Sequence, residues 1–251
     1  MTQLSDAVLA LDLSAAELAR APGAAAVPEL SRFLTHEDNA ARTVAVVALG
    51  EIAHPDATEA LMKAARDEDD MVAGTAVEKL SLRADAVGAA ALIRLLPLIK
   101  SDTARARLVL VIGKTASGSD ANALLVFCRR EQPEHTTLAC LAASARLGEE
   151  KSRTEFARYL TGTRDLTAFE MAEYIGQPWL LPHLGELLRH TDPVQTLGDP
   201  PPGFPNMLRV CDKAVVLIAR ISGKPFSFPT NVHKNYDDRQ IAEAALAAGI
   251  R

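Results

Sequence analysis

The sequence predicts an all-α protein, a right-handed superhelical stack of helical hairpins, and three observations carry that expectation. Its 251 residues include 44 alanines but only 4% aromatics, a balance that suits closely packed helices and disfavours strands. Apolar residues recur at helical spacing in one segment after another. Glycines punctuate the chain at Gly50, Gly113, Gly148, Gly176 and Gly223, at multiples of about 28 to 35 residues with one wider gap before the last. That is the period of a helical-hairpin repeat. A hydrophobic content of 48% with a net charge of −5 excludes disorder.

The best-preserved unit shows the pattern. Val27, Leu30 and Leu34 mark a first helix, and Ala41, Val44, Ala45, Ala48, Leu49 and Ile52 form the stripe of a second. Asp38, in the turn between them, is a ready N-cap, because a short carboxylate accepts the unpaired amides of a first turn. Similar polar starts recur at Asp69-Asp70, Ser101-Asp102, Glu134 and Asp165. Glycine after each second helix is expected in the left-handed position that ends a helix. Pro28 and Pro182 sit early in first helices, where a missing amide costs least, whereas Pro97 predicts a kink.

One domain over residues 1–251 is expected: a cap at 1–22, repeats at 23–190 and 206–223, an inserted loop at 191–205 and a second cap at 224–251. The loop is rich in proline and glycine, and Asn206 is the expected cap of the helix that follows it. Phe226 and Phe228 are expected to pin the C-terminal segment onto the last helices. Asp237 or Asp238 starts a short terminal helix.

The turn Asp38, the early Arg42 and the ending Ala48-Leu49-Gly50 resemble the second helix of HEAT repeats, including the bacterial phycobilisome-lyase-like type. Asp102, Arg105 and Gly113 match in part, while Ala73, Cys140, Ala168 and Val215 replace the arginine elsewhere. The resemblance spans roughly residues 24 to 223 and implies an armadillo- or HEAT-like solenoid. It specifies architecture rather than activity.

Motifs for chemistry are weak. Gly113-Lys114-Thr115 lacks the glycine that a phosphate loop needs at Leu108, and the repeat phase makes that segment a helix. His36-Glu37 is similar to the iron-binding pairs of deoxyhypusine hydroxylase, a HEAT-repeat enzyme, but a lone pair cannot fill a coordination sphere. Cys128 and Cys140 lie on consecutive helices without metal-ligand spacing and are expected to be small buried hydrophobes. Three cysteines make no disulfide framework, which points to a reducing cytoplasm. No basic, apolar leader and no run of about 18 apolar residues is present. No enzyme activity, cofactor or metal is expected.

Charge is the best clue to function. Residues 1–80 carry a net −8, residues 81–130 a net +5 and the remainder −2. Long cations commonly cover solvated helix faces; gathered on a concave face, they also steer an acidic partner. The second helices of such an array line that face, which makes Arg42, Arg105, Arg107, Lys114 and Arg146 the candidate partner-binding residues. Phe204 joins them if the inserted loop is a binding edge. The expected function is a non-catalytic protein-binding module serving as adaptor, inhibitor or immunity-type factor. Nucleic-acid binding is disfavoured by overall acidity and a single tryptophan, and a chromophore-lyase or maturation role is implied only by the family resemblance.

Overall fold

A computed structural model describes residues 2–130, 132–198, 205–230 and 234–250. Sixteen α-helices and one short pair of strands lie among them. The chain divides into two compact units, residues 1–140 and 141–251.

In the first unit, α1 (Gln3–Leu9) and α2 (Ala15–Arg20) precede the repeats. The hairpins that follow are α3 (Val27–Phe33) with α4 (Asn39–Gly50), and α5 (Pro55–Ala64) with α6 (Asp70–Ser81). A one-turn helix, α7 (Ala84–Val87), leads into α8 (Ala89–Leu95) and α9 (Asp102–Thr115). Then come α10 (Gly118–Cys128) and α11 (Glu134–Arg146), and the division between the units falls inside α11. The second helices pack in a row, α2 on α4, α4 on α6 and α6 on α9. Their shared core is aliphatic and small: Val44, Ala45, Ala48 and Leu49 meet Val72, Ala76, Val77 and Leu80, all buried. Small side chains let the helix axes approach, so density comes from close backbones rather than from aromatic bulk.

The predicted caps form at four positions. Asp38 accepts from the Ala40 amide at 2.8 Å, Asp69 from Met71 and Val72, Ser101 from Ala104 and Asp165 from Ala168. The N-terminal segment covers α4 through α2 but leaves Leu9, Leu11, Leu13 and Leu18 exposed.

In the second unit, α12 (Glu150–Thr163) pairs with α13 (Leu166–Ile175), and α14 (Leu181–Leu187) with α15 (Val210–Ser222). The final helix α16 (Asp238–Ala247) packs on α15 and starts from an Asp237–Gln240 capping box. Phe226 meets Phe228 edge-on, and Phe228 meets the buried Tyr236, each with ring centroids 5.4 Å apart. These ring contacts join residues within the C-terminal segment itself.

Five expectations are corrected. The ends of the inserted segment are not loop: β1 (Pro193–Thr196) pairs antiparallel with β2 (Met207–Arg209). Asn206 does not cap α15; its carbonyl accepts from the Leu197 amide and prolongs the ladder, while Arg209 and Asp212 open the helix. Gly50 and Gly113 are helical residues, whereas Gly148, Gly176 and Gly223 do take positive φ. Pro97 does not kink α8 but lies in a 3-10 turn, Leu96–Leu98, that follows its end, because the ring denies the helix an amide and crowds the preceding turn. Finally, Cys128 and Cys140 are joined in a disulfide with Cα atoms 5.2 Å apart. Cys128 ends α10 and is half-buried, and the turn to α11 brings it beside Cys140; only Cys211 is a free thiol. The argument for a reducing compartment from three free thiols falls with that bond.

Candidate interaction surface

Five cations were singled out on the second helices, and the structure separates them into two kinds. Arg42, Arg105 and Arg146 are fasteners. The Arg42 guanidinium grips Asp67 through two bonds of 2.9 and 3.0 Å and also donates to the carbonyls of His36 and Glu37. Both side chains of that ion pair are largely buried, and Asp67 holds the Arg42 pKa above its ordinary value. Arg105 turns back to the Ile99 carbonyl of its own hairpin. Arg146 donates 2.7 Å bonds to the carbonyls of Tyr174 and Ile175, the open C-terminal end of α13, and its guanidinium lies over the Tyr174 ring. A cation there satisfies carbonyls that have no partner within the helix.

Arg107 and Lys114 differ from these three in exposure. They stand two turns apart on one face of α9, and both are exposed. Arg107 reaches across α6 at Gly74, where a Cβ would lie 3.4 Å from the guanidinium, an ordinary contact. Lys79 depends on a glycine more strictly. Its alkyl stem crosses Gly50 of α4, so close that a Cβ would collide with it, and its ammonium meets Glu51 at 3.1 Å. Phe204, the sixth candidate, lies outside the described residues.

Arg83 is drawn inward to the carbonyls of Leu49 and Gly50 and to Thr58, and burial lowers its pKa. Lys100 pairs with Glu68. Arg94, Arg129 and Arg130 are exposed.

The exposed surface of the first unit is not purely charged. Met71 and Leu82, 66% and 76% exposed, lie on the face of α6 that also carries Thr75 and Glu78. Sequence reasoning passed over both. The signal was available, because they fall outside the buried stripe of Val72, Ala73, Ala76, Val77 and Leu80. Apolar side chains presented among cations are a usual composition for a contact surface, in which burial supplies the energy and charge the orientation. Among the described residues no group of three or more histidines, cysteines or carboxylates is placed to hold a metal ion, and no helix is long and apolar enough to cross a membrane.

No curated protein matches the chain. Among solved structures, it is similar to an engineered protein determined by a structural genomics consortium, at 19% identity over 99% of this chain and 72% of that one, with a TM-score of 0.32. Likeness at that level carries no argument. Residues 11–81, the stretch from just before α2 to the end of α6, match the family model for HEAT repeats.

Proposed function

We propose that the protein is a non-catalytic interaction module that takes an acidic protein partner on the second-helix face of its first unit. The observation that carries this is the exposure of Arg107 and Lys114 on α9, of Met71 on α6 and of Leu82 just past its end. Stacked helical repeats commonly serve as binding scaffolds, and the match over residues 11–81 supports the same reading. A partner that covers the two apolar side chains and places carboxylates near the two cations satisfies both halves of the surface. Arg42 and Arg105 then act indirectly, by holding the hairpins that present it.

The test is affinity purification with the wild-type protein and an Arg107→Glu/Lys114→Glu variant, followed by binding measurements on any prey that differs. The reading expects a protein prey lost with the charge reversal and weakened again by Met71→Asp. If every prey is retained by both variants, this face is not the binding surface. If the wild-type eluate carries nucleic acid that the charge reversal removes, the partner is of another class.

A further inference from the structure

The second unit contains a recess that the partner-binding reading does not use. It lies where α13 and α15 diverge, with β2 and the segment before α16 closing it, and its volume is about 290 Å³. That is near the lower limit of small-molecule sites. Phe169, Leu208 and Leu217, all buried, form its apolar floor together with Leu166 and Val216.

Most charges around the recess are already committed. Asp212 is 1% exposed and its carboxylate accepts six hydrogen bonds: three from Arg209, one from Asn235, one from the Tyr236 amide and a long one from the Cys211 thiol. It has no capacity for a ligand. Glu173 is held by Arg220, and the ammonium of Lys234 rests over the Tyr236 ring. Apart from Glu170, exposed at the rim, Lys213 is the exception. It projects from α15 into the recess, half-buried, and its ammonium makes no hydrogen bond or ion pair among the described residues. Burial lowers its pKa, against the opposing influence of Glu173 and Glu170. A half-desolvated cation above an apolar floor wants an anion.

From this geometry we infer that the recess binds a small apolar carboxylate, its hydrocarbon part on the Phe169–Leu208–Leu217 floor and its carboxylate on Lys213. A monoanion fits better than a phosphate ester. Among the described lining residues only one cation is uncommitted, and the carboxylates of Glu170 and Glu173 at the rim oppose a second negative charge. A ligand cation is disfavoured, because Asp212 and Glu173 are both occupied and Glu170 stands exposed at the rim rather than buried over the apolar floor. The ligand chemistry has two sources, a free organic acid and the C-terminal residue of a polypeptide.

Isothermal titration of the full chain with N-acetyl-phenylalanine, its amide, and a hexapeptide ending in a free phenylalanine carboxylate tests the inference. The acid is expected to bind and the amide to bind at least about tenfold more weakly, since a hydrogen bond to a charged group is worth about 1.5–3 kcal/mol. Lys213→Met keeps the length and apolar stem and should produce the same loss for the acid without changing affinity for the amide. Tighter binding of the hexapeptide than of the acid identifies a polypeptide terminus as the source, and its exclusion identifies a free acid. Equal binding of acid and amide, or no binding of either acid or hexapeptide to the wild-type protein, overturns the inference whatever the variant does. These measurements do not involve Arg107 or Lys114, so they stand or fall separately from the partner-binding reading.

Discussion

Replacing Asp212 with alanine is the most informative single change to the second unit. The carboxylate gathers the start of α15 and the strand of chain before α16: it accepts from the Arg209 amide and guanidinium, from Asn235 and from the Tyr236 amide, at 2.7 to 2.9 Å. Alanine leaves two backbone donors without acceptors, each costing about 1–3 kcal/mol where water cannot reach. Arg209 loses its counter-charge as well, but it is 28% exposed and can turn toward solvent, so this part of the cost is reduced. The expected loss is about 4 kcal/mol for opening the 205–250 region. Urea unfolding followed at 222 nm, together with hydrogen exchange at the Tyr236 amide, measures it. Asp212→Asn retains the shape and one acceptor and should cost about half as much.

The same residue gives a pH signature. Burial pushes the Asp212 pKa up, but its bonds to Arg209, the Tyr236 and Arg209 amides and Asn235 outweigh that and hold it below the usual aspartate value. Its contribution is therefore fully present above the unfolded-chain pKa near 4, and is lost as pH falls through the lower folded value. The stability gap between wild type and Asp212→Asn should narrow on acidification. A loss below about 1 kcal/mol in Asp212→Ala, with Tyr236 protection unchanged, would refute the reasoning, because those bonds would then not hold the segment.

Other outcomes follow from the same kind of contact. Arg42→Ala should destabilise the first unit by about 2 kcal/mol in urea unfolding, and Arg42→Lys by less, since an ammonium cannot reproduce the two-pronged grip on Asp67. Reducing the Cys128–Cys140 bond, which spans 12 residues, should cost about 3 kcal/mol on loop-closure grounds; thermal unfolding with and without reductant checks it, with the Cys128→Ser/Cys140→Ser variant insensitive to reductant. Asp102→Ala should raise hydrogen exchange at the His135 and Thr136 amides, with little change in the Ser101–Ala104 cap of its own helix.

The hairpin plan was legible because it rests on periodicity and local capping. Asp38, Asp69, Ser101 and Asp165 announce their helices within three residues, and the alanine-rich stripes define the buried faces. What escaped depends on partners distant in sequence. The sequence marks Arg42 as a cation on a second helix but does not show that Asp67, 25 residues on, will consume it. Arg107 looks no different from Arg105 until Gly74 is brought beneath it. Asp212 was concealed because a carboxylate within the apolar run of α15 resembles an ordinary first-turn acid. The Arg209-x-x-Asp212 spacing was a hint, but its partners at Asn235 and Tyr236 lie more than twenty residues away. The strand pair was missed because three consecutive prolines draw attention to the middle of the insert rather than to its ends.

Asp102 belongs to α9, yet its carboxylate accepts from the amides of His135 and Thr136 and from the Thr136 hydroxyl at the opening of α11. The first turn of one hairpin's second helix is thus completed by its predecessor. A fragment starting at residue 116 would carry the whole α11 sequence and still begin that helix with bare donors, so frayed α11 ends, rather than lost core, should be the first symptom of such a truncation. Boundaries drawn for expression or for grafting repeats should therefore be placed upstream of Ser101.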